Sequence, residues 1–281
     1  MADLETLIGG RAFLEGPRWR DGALYVSDMH AGEVLRVTMD GATTIIAEVP
    51  GSPSGLGWLP DGSMLIVSMS DQRLLRLHGD ELSEHADLRS FAPHEINDMV
   101  VDRAGHAFVS QFGYDHHAGA KLQRAPVLRV DPDGSAQQAT DALRMANGMV
   151  ITADGQTLVV AESAGRRLLG FDLAADGSLS NERVWAELPE MDYPDGICID
   201  AEDAVWCAGP AADRFVRVRE GGEVLDVVEC PGRHAIACAI GGDDGHTLFC
   251  CTSPTHGEPD ASRATRGAKV ETLKVAVPAR E

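Results

Sequence analysis

Six times along this chain the same order of signals returns. A segment start, usually followed by glycine, leads into a short apolar run, a turn that is often Asp-Gly, and then further β-rich runs. The starts fall at Glu15, Ser54, Asn97, Asn147, Asp195 and Ala237, separated by 39, 43, 50, 48 and 42 residues. A period of about 40–50 residues with room for four short strands belongs to a propeller blade. Unit one runs from Glu15 through the Asp21-Gly22 turn to ALYVSD and EVLRVT. Unit four runs from Asn147 through Asp154-Gly155 to QTLVVAES and RRLLGFD. The runs are short and β-branched and are bounded by turn residues. Long helical periodicity is absent, which argues against a βαβ fold. The pattern predicts an all-β, six-bladed propeller with four-stranded antiparallel blades around a central channel, covering residues 1–281 as one domain. TLIGGRAFL, before Glu15, is placed to supply a strand to the sheet that the C-terminal VETLKVAV joins. Such pairing closes the ring and removes an open edge.

Because blades are arranged radially, one repeat position points to one place in the channel. Here that position reads Glu15, Ser54, Asn97, Asn147, Asp195, Ala237. A position that only packs should read alike in all units. Four of these six instead carry a carboxylate or an amide oxygen, the ligands of hard cations. Asn-Gly and Asp-Gly are also common turn dipeptides, and any one alone reads as a turn. Their recurrence at one aligned position favours a single site for one divalent cation, calcium first, with magnesium, manganese and zinc as the other candidates. Ser54 reads as a small residue lining the channel.

The formal net charge of −20 argues against nucleic acid and anionic membranes as partners. No run approaches the roughly 18 apolar residues of a membrane span, and the N-terminus has no basic start of a secretory signal. The six cysteines lie in the last third without a C-x-x-C pair. They read as small core residues kept reduced in the cytoplasm. The longest insertion, Phe112 to Pro126, carries Tyr114, His116 and His117. Neighbouring residues on a strand face opposite sides, so the two adjacent histidines suit a pocket rim or solvent better than one zinc ion. There is no H-E-x-x-H and no G-x-S-x-G elbow. Trp19 and Trp58 share one repeat position and read as blade packing, while Asp102 and Asp200 read as turn residues between strands.

At E-G-P-x-W (Glu15 to Trp19), N-D-x-V-V-D (Asn97 to Asp102), N-G-M (Asn147 to Met149) and P-D-G (Pro194 to Gly196) the chain resembles the senescence marker protein-30/gluconolactonase/luciferin-regenerating enzyme family. The last blade, with Gly241-Gly242 followed by TLF-x-x-T, fits as well. The resemblance covers nearly the whole chain. It implies a divalent metal in the channel held by Glu15, Asn147 and Asp195, with Asn97 beside it as a substrate contact or further ligand. It also implies that Asp195 acts as general base or nucleophile, and that the substrate is a small lactone or ester. The sugar-lactone branch of the family usually places an arginine two residues before the asparagine of unit three, where it binds sugar hydroxyls. Here that residue is Glu95. His94 and Glu95 either read a different substrate or face solvent, and Tyr114 joins them as a candidate substrate contact. The alternatives are a metal-dependent esterase or organophosphate hydrolase, and a non-catalytic propeller that binds a small ligand or a protein.

Overall fold

The computed structural model describes residues 4–115, 118–188, 193–256 and 258–280. Its strands form six four-stranded antiparallel sheets. Five of them are built from consecutive strands. The sixth combines the three C-terminal strands with the N-terminal strand Glu5–Arg11, which pairs with Ala268–Lys274 from Glu5↔Thr272 to Arg11↔Ala268. Each blade contributes an innermost strand: Leu14–Arg20, Pro53–Trp58, Ile96–Val101, Ala146–Ile151, Ile197–Ile199 and His234–Gly241. Each inner strand contacts its neighbours on both sides, the last touching the first, so the blades close into a six-bladed propeller.

The strand chemistry follows this layering. Second strands are sandwiched between adjoining blades and read as unbroken buried runs, such as Met64–Ser68 (MLIVS) and Val205–Gly209 (VWCAG). Outermost strands are largely solvated and read polar, as in Glu81–Asp87 (ELSEHAD). The core therefore lies between blades. One cluster joins Leu24 and Leu35 of blade one to Phe249 and Val270 of blade six; another joins Leu65 and Leu74 of blade two to Val109 and Leu128 of blade three. Trp19 stacks on Phe249 at 5.3 Å between ring centroids, and Trp58 meets Tyr25 edge-on at 5.2 Å.

Turn aspartates end the inner strands by accepting backbone N–H groups. Asp102 Oδ1 accepts from Ala104 and His106, and Asp200 Oδ1 from Glu202 and Ala204. A short helix, Pro259–Thr265, interrupts blade six before its third strand, with proline in its first turn. Among the described residues no helix is long and apolar enough to cross a membrane. No disulfide joins any of the six cysteines.

Candidate functional site

The inner strands share a local irregularity. Strand register shifts between Glu15 and Arg18, Pro53 and Leu56, Ile96 and Met99, and Ala146 and Met149. In blades two, three and four the shift brackets the aligned start position, and in blade one it begins directly after Glu15, which pairs with Ser27. Such bulges leave a residue out of the ladder and re-aim its side chain, here at the mouth of the channel. The residue after the start position allows the backbones to come this close. A Cβ on Gly16, where φ is +57°, would lie 2.4 Å from the Ser54 carbonyl oxygen; one on Gly148 would lie 2.6 Å from the Ile197 nitrogen and 2.7 Å from the Asp195 oxygen.

Four of the aligned side chains form a chain of hydrogen bonds from blade to blade. Ser54 Oγ donates to Asn97 Oδ1 at 3.0 Å, Asn97 Nδ2 to Asn147 Oδ1 at 2.9 Å, and Asn147 Nδ2 to Asp195 Oδ1 at 2.5 Å. Glu15 accepts from the Gly16 N–H at 3.0 Å. All are buried: Glu15, Asn97, Asn147 and Asp195 keep between 4 % and 8 % of their surface. Ala237, the sixth aligned residue, brings no polar atom.

In blade three an aspartate stands where four blades have glycine. Asp98 accepts from Arg18 Nη2 at 2.8 Å and from the Met99 N–H at 2.7 Å, and Arg18 also donates to the Met99 carbonyl. This pair runs from blade one to blade three beneath the candidate residues and gives Asp98 a cationic partner. Among the described residues no lysine or arginine lies at bonding distance from Glu15 or Asp195. Burial pushes the Asp195 carboxyl up to about 8; the Asn147 bond lowers it and the Asp98 charge raises it further. Burial also lifts Glu15 well above the carboxylate range, reinforced by the charges of Asp195 and Asp98, against weaker pulls from the Gly16 N–H and Arg18.

Above these residues lies a cavity of about 380 Å³. Glu15, Asn97, Asn147 and Asp195 line it together. His94, Glu95 and Tyr114 are not among its lining residues. His94 and Glu95 are half-buried on the segment before the inner strand of blade three, where the Glu95 carbonyl accepts from the Phe112 N–H. Tyr114 is buried behind the wall, its hydroxyl 3.4 Å from Met145 Sδ. His116 and His117 lie outside the described residues. The rest of the wall comes largely from one place in the repeat that the sequence reading passed over: the residues that follow the second strand. These are Met29 and His30, Met69, Phe112, Ser163 and Ala164, Pro210 and Ala211, and, after a longer gap, His256. They share one offset in the repeat, which sets such loops around the channel mouth, but their residue types vary too much for the sequence to mark them. His256 Nε2 is 3.9 Å from Asp195 Oδ2, and its ring lies 5.6 Å from that of His234. His234 Nδ1 is 2.9 Å from the Pro210 carbonyl, which can only accept, so this nitrogen carries the proton.

The site suits a hard divalent cation. Two buried carboxylates face a cavity whose described lining residues include no lysine and no arginine, and two amides stand between them. Among the described residues no three His, Cys, Asp or Glu side chains gather as a metal cluster. The donors are thus carboxylate and amide oxygens, which favour calcium, magnesium or manganese over zinc.

Comparison with known proteins relates most of the chain to one family. The SMP-30/Gluconolactonase/LRE-like region matches residues 13–254. A 6-deoxy-6-sulfogluconolactonase of Pseudomonas putida is 26% identical over 246 residues, covering 85% of this chain and 82% of its own. An L-arabinolactonase of Azospirillum brasilense is 26% identical over 250 residues, covering 86% and 80%. The structure of a calcium-binding protein, regucalcin, from Agrobacterium tumefaciens superposes with a TM-score of 0.83 over 99% of this chain and 96% of its own, at 21% identity.

Proposed function

The chain belongs to the SMP-30/gluconolactonase/LRE-like family, and from that premise we propose that it opens a small lactone by hydrolysis with the help of one divalent cation. Glu15, Asn147 and Asp195 hold the cation, with Asn97 beside it. The observation that carries this reading is the meeting of those four oxygen side chains, each from a different blade, at the floor of one cavity. Lactone hydrolysis as the activity of relatives, and calcium binding by the regucalcin, point the same way.

A divalent ion at this place supplies Lewis-acid polarisation of the lactone carbonyl and charge stabilisation of the oxyanion. Asn97 has one amide N–H engaged by Asn147 and its oxygen engaged by Ser54. Its second N–H is left to orient the carbonyl or ring oxygen of the substrate. Asp195, held by Asn147 at the floor of the cavity, takes the proton from the attacking water. The new C–O bond forms at the carbonyl carbon, the ring C–O bond breaks, and the proton passes to the leaving alkoxide, giving a hydroxy acid. Direct attack by Asp195 uses the same geometry, through an acyl intermediate that water then opens.

The test is turnover of a lactone panel, followed by pH indicator, on chelator-treated protein with Ca²⁺, Mg²⁺, Mn²⁺ or Zn²⁺ added back. The reading expects metal-dependent hydrolysis that disappears in Asp195→Ala. Full activity in a metal-loaded Asp195→Ala or Asn147→Ala protein contradicts it.

A further inference from the structure

The wall of the cavity divides by chemistry. Met29, Met69, Phe112 and Met145, from the mouths of blades one to four, form one apolar cluster backed by Tyr114. Met69 and Phe112 are buried, while Met29 and Met145 are half-buried. Among the described residues these four side chains offer the cavity no hydroxyl, amide or charge. Phe13, stacked on His30 at 4.7 Å, adds a second aromatic face. Polar groups elsewhere on the wall are largely committed. Ser163 Oγ donates to the Pro194 carbonyl at 2.6 Å, Tyr193 is bonded and capped by Arg166, and His234 uses its Nδ1 proton on Pro210.

We infer that the substrate is a lactone carrying an alkyl or aryl substituent packed against the Met29–Met69–Phe112–Met145 wall, and not a polyhydroxylated ring. This rests on the lactonase reading and specifies the substrate class of that same site. A hydroxyl pressed against thioether and phenyl groups loses its water without gaining a partner. A methylene in the same place gains from leaving water. Methionine suits such a role, since its unbranched, polarisable side chain adapts to irregular apolar shapes. The volume of about 380 Å³, at ~30 Å³ for each water displaced, admits on the order of a dozen heavy atoms. That is room for a five- or six-membered lactone with a short chain or one phenyl ring. Hydrolysis would release the corresponding hydroxy acid, with the apolar substituent unchanged.

The experiment compares kcat/KM on the metal-loaded full chain for δ-valerolactone, δ-hexalactone, δ-nonalactone and D-glucono-1,5-lactone, each corrected for uncatalysed opening. The expected gain is about fourfold per buried methylene, reaching about 10²-fold for δ-nonalactone over the unsubstituted ring. The glucono-lactone should fall below δ-valerolactone. Met69→Gln should lower kcat/KM for δ-nonalactone about tenfold and leave δ-valerolactone within about twofold, with metal affinity unchanged. If circular dichroism shows Met69→Gln misfolded, the half-buried Met29→Gln takes its place. A preference for D-glucono-1,5-lactone, or no dependence on chain length, overturns the inference while leaving the lactonase reading intact. Lactams of the same substitution pattern, titrated calorimetrically, separate the two ideas from the other side. If no lactone is opened but lactams bind more tightly as the chain grows, the apolar wall stands and the lactonase reading falls. If alkyl lactams do not bind, or bind more weakly than a polyhydroxylated one, the wall inference falls.

Discussion

The channel of this propeller has two mouths, and the larger is the quieter one. Where the inner strands end, a cavity of about 910 Å³ opens, lined by Trp19, Trp58 and the arginines 18, 20, 103 and 280. Its guanidinium groups are already matched: Arg18 to Asp98 at 2.8 Å, Arg20 to Asp21 at 3.2 Å, Arg280 to Asp203 at 3.3 Å, and Arg103 to the Ala153 carbonyl. The C-terminal segment crosses part of this mouth, with Ala279 bridged to Asp200 and Arg280 donating to the Ile151 carbonyl. Where the inner strands begin, the cavity is less than half as large. There, however, two buried carboxylates face the cavity with no lysine or arginine among its described lining residues, and the nearest basic group to Asp195 is the His256 imidazole at 3.9 Å. Volume reflects how far the strands splay, whereas chemistry follows the imbalance of charge. The Arg18–Asp98 pair divides the two regimes.

Substitutions at the two mouths should therefore differ greatly in effect. The largest loss is expected for Asp195→Ala, about 10³-fold in kcat/KM with the circular dichroism of the propeller retained. A loss under tenfold would remove the distinction between the mouths. Next comes Asp98→Ala, which strands the Arg18 guanidinium inside the channel. Breaking a buried pair from one side typically costs about 3–5 kcal/mol, and the part-exposure of Arg18 places this case near the lower bound; urea unfolding measures it. Gly148→Ala drives a methyl into the backbone of blade five beside Asp195. It should cost about 1–3 kcal/mol of stability and, by displacing Asp195, about ten- to a hundredfold in kcat/KM. An unchanged rate in that variant would mean that the close approach of blades four and five does not set the position of Asp195. The smallest effects belong to the wide mouth: Arg20→Ala and Arg103→Ala should each shift stability by less than about 1 kcal/mol and leave lactone turnover unaltered.

The blade period and the strand signals were legible because a propeller repeats one physical problem six times. A strand sandwiched between blades must be apolar along its whole length, and a hairpin must turn at Asp-Gly or its equivalent. The convergence of Glu15, Asn97, Asn147 and Asp195 in one cavity was legible for the same reason, from a repeat position that refuses to read alike. Three features were not. The register shifts that lift Asn97 and Asn147 out of their ladders leave at most an indirect trace, such as the glycine that follows Asn147. The Arg18–Asp98 pair joins residues 80 apart and depends on the channel geometry that the sequence does not display. The cavity wall draws on one or two residues after each second strand, and their types vary around the ring: methionine in blades one and two, then phenylalanine, serine, proline and histidine. Tyr114 lies one step behind that wall, and His94 and Glu95 lie beyond it, since proximity along the chain to Asn97 does not carry a side chain over the bulge. The helix Pro259–Thr265 escaped notice because seven residues are too few to show a helical period.

Calorimetric titration of chelator-treated protein with Ca²⁺, comparing the unaltered chain with Asp195→Ala and Arg103→Ala, tests the central claim most directly. The account predicts about one ion bound per chain, an affinity at least about a hundredfold weaker in Asp195→Ala, and no change in Arg103→Ala. Equal calcium affinity in the unaltered chain and Asp195→Ala, or no uptake of Ca²⁺, Mg²⁺ or Mn²⁺ by the folded protein, would contradict a cation site at the narrow mouth.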